Sequence, residues 1–190
     1  MRQAFFFASL LLAIMCTVLS GPVAQARNKA DIVELQVYPD PPNLKVRFRI
    51  DNCFNEEMLK AIKSGVGATF RILVVLEKEG VPLFRDRLVD VSFEHSIRYD
   101  TLHGQYRVKL AEHPNTTLTT KDFAKARQWM SKVEDVPIIP LWRLPKNQEY
   151  QVRVKAELSK VRLPFFLRYV FFFVSLWDFE TDWAQVSYVH

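Results

Sequence analysis

Four histidines, two cysteines and a short acidic triplet are the side chains of this 190-residue sequence best suited to a catalytic or metal site. His95, His103, His113 and His190 show no ligand spacing, and no second cysteine stands beside Cys53 to complete a zinc set. His95 falls on the inward register of an alternating segment, where an imidazole is ordinarily a satisfied, partly buried residue. Cys53 sits between Asn52 and Phe54 at a strand-to-helix junction and reads as a buried, inert thiol, a reactive or intermolecular one being the alternative. Asp178, Glu180 and Asp182 follow i, i+2, i+4 spacing, which lines three carboxylates along one face of an extended strand. Such oxygens can bind calcium, but an EF-hand loop also needs glycine at position six and glutamate at twelve. Trp183 occupies position six here, so a polar outer face or turn is the expectation. Neither a Gly-x-Ser-x-Gly elbow, a glycine-rich phosphate loop nor a His-Glu-x-x-His helix occurs. With five glycines in all and no such motif, no cofactor, metal or catalytic residue is assigned. An enzyme would need a site assembled from residues distant in the chain.

The most unusual stretch is aromatic, running from Leu163 to Trp177. Arg168 cuts its uncharged run to nine residues, Tyr169 to Trp177, well short of the roughly 20 that a membrane span requires. One reading buries it as a core element, since aromatic side chains supply much of the weight of a small core. The other exposes it as a docking patch of Arg162, Phe165, Phe166, Arg168, Tyr169 and Trp177, whose arginines would meet anionic groups on a membrane or partner.

The elements that must position these residues are mostly strands. Leu44, Val46, Phe48 and Ile50 alternate with Lys45, Arg47 and Arg49, the period of a strand with one wet face. The same alternation runs through Val89–Tyr99 and Tyr150–Leu158, with Val33, Leu35 and Val37 as a shorter first strand. Phe70–Leu76 is apolar at nearly every position after Arg71, which suits a central strand covered on both faces. The segment Pro39–Asn43 predicts a turn in which proline blocks pairing, Glu79-Gly80 breaks the next pair of strands, and Asp100–Gly104 predicts a hairpin into Gln105–Leu110. Two short helices interrupt the strands. Asn55 caps Glu56–Ser64, with Met58, Leu59 and Ile62 as its apolar stripe and Gly65 as its left-handed stop. A second is expected from about Thr120 to Val133, with Thr119 and Asp122 as a capping pair and Phe123, Ala126, Met130 and Val133 on one face. Pro137 and Pro140 then force an extended path. Evenly spaced strands without βαβ alternation define the fold class: mainly β, an antiparallel sandwich or half-barrel of immunoglobulin-like style with two short helices.

The first 26 residues carry a different signature. Arg2, the uncharged run Phe5–Leu19, the pair Gly21-Pro22 and the small-x-small site Ala24-Gln25-Ala26 are the four parts of a cleavable export signal. The 15 residues from Phe5 to Leu19 are too few for a spanning helix. Cys16 lies inside this run and not after a small residue at its end, against a lipoprotein anchor. Cleavage after Ala26 would leave a single β-rich domain over residues 27–190, 190 minus 26 giving 164 residues. That length suffices for a core without covalent staples. The net charge of +5 is scattered along the chain. Scattered charge suits solubility and contact with anionic surfaces, not the clustered basic footprint of a nucleic-acid binder.

Taken in order, the signal, the strand end Asp51-Asn52-Cys53-Phe54, the helix Glu57–Val66, Leu163-Pro164 and Ser175–Trp183 resemble a bacterial exported family catalogued as domain of unknown function 4390. The resemblance implies a bacterial, secreted or membrane-associated protein, in some genomes encoded beside sensor histidine kinases, and carries over no site residues. A non-enzymatic periplasmic interaction or accessory module, soluble or peripheral at the membrane, is therefore expected, with an envelope or membrane protein as partner. The alternative is a periplasmic binding protein for an apolar or lipid ligand held between sheets and helices.

Overall fold

Period-two alternation becomes strand through most of the chain. The computed structural model describes residues 29–79, 86–159 and 179–190. Its elements are β1 (Asp31–Asp40), β2 (Asn43–Asp51), α1 (Glu56–Lys63), β3 (Ala68–Lys78), β4 (Arg87–Asp100), β5 (Gln105–Lys109), β6 (Thr117–Thr120), α2 (Phe123–Ser131), β7 (Lys132–Pro140), a 3-10 turn (Leu141–Arg143), β8 (Glu149–Leu158) and β9 (Ala184–Val189). They form two antiparallel sheets, one ordered β1-β2-β7 and the other β6-β5-β4-β3-β8-β9. The mainly β sandwich with two short helices is the architecture that the alternation implies.

The core lies on the inner face of the six-stranded sheet. Phe70, Ile72, Val74 and Leu76 of β3 stand opposite Leu158, Ala156, Val154 and Val152 of β8, and all eight are buried. Two layers cover this face. From the smaller sheet come Leu44, Val46, Phe48 and Ile50 of β2, also buried, with β1 running beside β9 and β8. The remainder lies under α2, which packs on β4, β5 and β6 and reaches β7 and β2. The far end of central β3 is buried on its other face as well, at Val75 and Glu77, while Arg71 on that face is exposed. That accounts for its nearly continuous apolar run.

Local chemistry fixes α1 as expected. Asn55 Oδ1 accepts the Met58 amide at 2.7 Å, and Glu56 and Glu57 lie in the first turn. Gly65 ends the helix at φ +88°, in the left-handed region that a Cβ disfavours. Met58, Ala61 and Ile62 are buried, while Leu59 is half-buried. The β4–β5 hairpin pairs Asp100 with Gln105. Its turn is tied by Asp100 Oδ1, which accepts the Leu102 and His103 amides, both at 3.1 Å.

The second helix differs from expectation at both ends. Thr117–Thr120 is a strand, β6, paired with β5, so Thr119 cannot cap a helix. Asp122 does so alone, accepting the Ala124 amide at 2.8 Å. The helix closes at Ser131, and Val133 is buried from β7, not from the helix. Strand pairing extends through several prolines: Pro39 pairs with Leu44 and Pro137 with Lys45. β1 and β7 are the edges of their sheet, where a missing amide costs no ladder bond. Val91, expected inward, is 40% exposed. β5 pairs only with Ser96–Asp100, so the first half of β4 lacks a neighbour on that side among the described residues.

Candidate functional site

His95, Cys53 and two carboxylates of the acidic triplet have definite places in this frame. His95 points inward from β4 and is fully buried. Its Nδ1 lies 3.2 Å from the Met130 carbonyl at the end of α2, and its Nε2 2.8 Å from Glu112 Oε2 in the β5–β6 loop. A carbonyl only accepts, so Nδ1 carries a proton. A second proton must then lie between Nε2 and the carboxyl, as imidazolium on carboxylate or as imidazole on carboxylic acid. Glu112 Oε1 also accepts the Glu134 amide of β7 at 3.2 Å. Burial raises the Glu112 carboxyl, but the His95 hydrogen bond and charge outweigh it and leave it below the ordinary carboxylate range. One pair of side chains thereby ties β4, α2, the β5–β6 loop and β7 together. The expected inward, satisfied histidine is found; its partner Glu112 was not foreseen, because nothing local marks a glutamate 17 residues away.

Cys53 is buried, as its junction position suggests, and its Sγ donates to the Ile50 carbonyl at 3.4 Å. Desolvation pushes its thiol up to about 12, which suppresses the thiolate that nucleophilic chemistry requires. Of the acidic triplet, Asp178 lies outside the described residues. Glu180 pairs with Lys155 and Asp182 with Lys29 at 2.7 Å. These two carboxylates thus serve separate ion pairs on an outer surface and do not converge on a common point. Trp183, beside them, lies under Arg153 and Lys155, whose cationic groups stand 4.7 and 5.8 Å from its ring centre. The expected docking residues Arg162, Phe165, Phe166, Arg168, Tyr169 and Trp177, and the export segment 1–26, lie outside the described residues.

One exposed feature has no counterpart in the sequence reading. β7 ends at Pro140 and gives way to the turn Leu141–Arg143, which presents Trp142 with 81% of its surface open. The loop is pinned at several points. Leu141 donates its amide to the Pro42 carbonyl of the β1–β2 turn at 2.9 Å, Leu144 is buried in the core, and Tyr150 Oη donates to the Pro145 carbonyl at 3.1 Å. The Asn147 amide donates to the His190 carbonyl at 2.5 Å. Trp142 is therefore displayed on an anchored support, with Arg143, Lys146, Pro41 and Pro42 also exposed around it. The signal that could have found it is the Pro-Leu-Trp-Arg-Leu-Pro sequence. Proline on either side of a short segment breaks strand pairing and leaves the tryptophan no strand face to bury.

Among the described residues no helix is long and apolar enough to cross a membrane. An antiparallel two-sheet sandwich with an anchored, tryptophan-bearing turn at one end is the class of protein these observations define. The chain matches the family model of a domain of unknown function (DUF4390) over residues 27–187 and belongs to that family. No curated protein and no solved structure matches it.

Proposed function

We propose that the protein is a non-enzymatic interaction module, exported across the inner membrane and working in the bacterial periplasm as an accessory to an envelope or membrane protein, a membrane sensor kinase being one candidate. The observation that carries this reading is Trp142. Burying tryptophan recovers a large apolar area, so a folded chain that holds one almost wholly in solvent forgoes that gain. Tryptophan and arginine are also the residues that most often dominate the energy of a protein interface, and Arg143 follows directly. Further support comes from the chemically competent groups. Cys53 is buried with its thiolate suppressed, and His95 and Glu112 are engaged with each other and with backbone groups. The export part of the reading rests on the pattern of residues 1–26.

The test is cross-linking from envelope fractions with the full chain and with Trp142→Ala. The expected result is a specific partner captured by the parent and lost, with a drop of about tenfold or more, in the variant. The side chain is 81% exposed, so thermal stability should change little. A partner captured equally by both chains would remove Trp142 from the interface. Recovery of the protein from the cytoplasm alone would overturn the periplasmic assignment.

A further inference from the structure

The outer face of the six-stranded sheet is divided by charge. Over β3, β8 and β9 the signs alternate and meet. Arg153 lies 3.7 Å from Glu77, Arg71 lies 4.0 Å from Glu157, and Lys155 pairs with Glu180. Over β4 and β5 the balance shifts. Asp90 still pairs with Arg87 at 2.6 Å and Glu94 is exposed on the same face of β4, but farther along the strands basic residues stand against one another. Arg98 stands directly opposite Arg107, and Ser96 opposite Lys109. Their neighbours in sequence, Ile97, Tyr106 and Val108, are buried inward. The strand alternation therefore sends Arg98, Arg107 and Lys109 outward, and all three are exposed. β6 adds Thr119 opposite Arg107 and Thr117 opposite Lys109.

Directly opposed residues have Cβ atoms about 5 Å apart and diagonal ones about 7–8 Å, and like charges at such separations weaken the pairing. Two carboxylates relieve this only in part: exposed Glu94 lies diagonal to Lys109 without an ion pair to it, and Asp100 is shared. Asp100 Oδ2 lies 3.4 Å from Arg107 Nη1, but it also accepts from His103 Nδ1 at 2.9 Å. Arg98 and Lys109 have no ion-pair partner among the described residues. The sheet thus holds two arginines directly opposed and a lysine diagonal to one of them, two of these three cations without an ion-pair partner among the described residues, beside a region where opposite charges meet.

We propose that Arg98, Arg107 and Lys109, with Thr117 and Thr119, form a docking face for the phosphate plane of an anionic lipid bilayer. The inference rests on the envelope reading above and gives it a second surface, distinct from the Trp142 turn. Charge complementarity selects the class of ligand, and the arrangement selects the bilayer within it. The cations project side by side from two strands of one sheet surface and do not converge, as donors around a single small anion would. A plane of headgroups can meet all of them at once. Such attraction is additive per basic residue and falls off within a Debye length, so contact should be peripheral, reversible and sensitive to salt.

The test is flotation of the full chain with vesicles of phosphatidylcholine alone and of phosphatidylcholine mixed with phosphatidylglycerol. The neutral vesicles measure any contribution from apolar segments. The parent should bind the anionic vesicles more tightly, and salt should abolish the difference. Arg98→Ser/Arg107→Ser/Lys109→Ser should weaken that added binding about 100-fold, with a melting temperature equal to or above the parent's because the like-charge contact is gone. Arg98→Lys/Arg107→Lys should retain the binding. Equal binding by parent and triple variant overturns the proposal. So does a parent that ignores anionic vesicles yet binds an acidic polypeptide through the same three residues, an outcome that would leave the interaction-module reading standing.

Discussion

The two layers that cover the inner face of the six-stranded sheet are held by different physics. Beneath β1, β2 and β7 the contact is between apolar, mostly aliphatic rows, with Leu44, Val46, Phe48 and Ile50 set against strand positions that are apolar as well. Beneath α2 it is aromatic and polar. Phe123 meets Tyr106 and Phe54 at 5.4 and 5.6 Å between ring centres, and the His95–Glu112 pair runs between the helix end and the β5–β6 loop. The first layer needs only area and shape. A second layer built on one short helix covers less sheet, and directional bonds to backbone groups supply what area does not. A core divided this way should respond to composition on one side and to pH on the other.

The strongest test of that division lies at its seam. Phe70 is fully buried and touches Phe54 and Phe179, with ring centres 5.0 and 4.8 Å away. Phe70→Ala should cost about 3–5 kcal/mol, read as a fall of roughly 10 °C in Tm, because it opens a cavity under both layers. Next in size is Glu112→Gln, which should cost about 2 kcal/mol at neutral pH by weakening a charge-assisted bond at a buried site. The sign of its pH dependence follows from the lowered carboxyl. A group whose folded value lies below its unfolded one stabilises fully above the unfolded value, and that contribution is lost as pH falls through the folded one. The parent should therefore lose stability on acidification through the carboxylate range more steeply than Glu112→Gln. Parallel curves in urea titrations at several pH values would show that the pair adds no pH dependence, and the contrast between the layers would fail. The smallest effect belongs to a feature outside the contrast. Asn55→Ala removes the α1 cap and should cost about 1 kcal/mol, with no change in pH response.

Much of the frame could be read from local patterns. Alternation identified β2, β4 and β8, and the Asn55 cap with Gly65 bounded α1 to within a residue, because caps and pleats are properties of a few consecutive residues. The second helix was harder. Thr117–Thr120 has β-branched residues that suit a strand as well as a helix approach, and only pairing with Tyr106–Lys109 decides between them. β9, which the alternation read from the sequence did not include, is defined by its register with β8. Pro39 of β1 read as a turn residue although it pairs with Leu44, whereas Pro137 and Pro140 read as extended, as they are in β7; position in a sheet, not residue type, determines whether a missing amide matters.

The sequence by itself determined most of the inward-facing strand residues, where α1 starts and stops, and that His95 and Cys53 belong to the interior. Those are consequences of period, capping and hydrophobicity. Only the tertiary structure decided that Glu112 is the partner of His95, that Trp142 stays in solvent on an anchored turn, and that Arg98, Arg107 and Lys109 share one surface. Each of these depends on which strands lie side by side. That choice is made by the packing of the whole core, and no short stretch of chain encodes it.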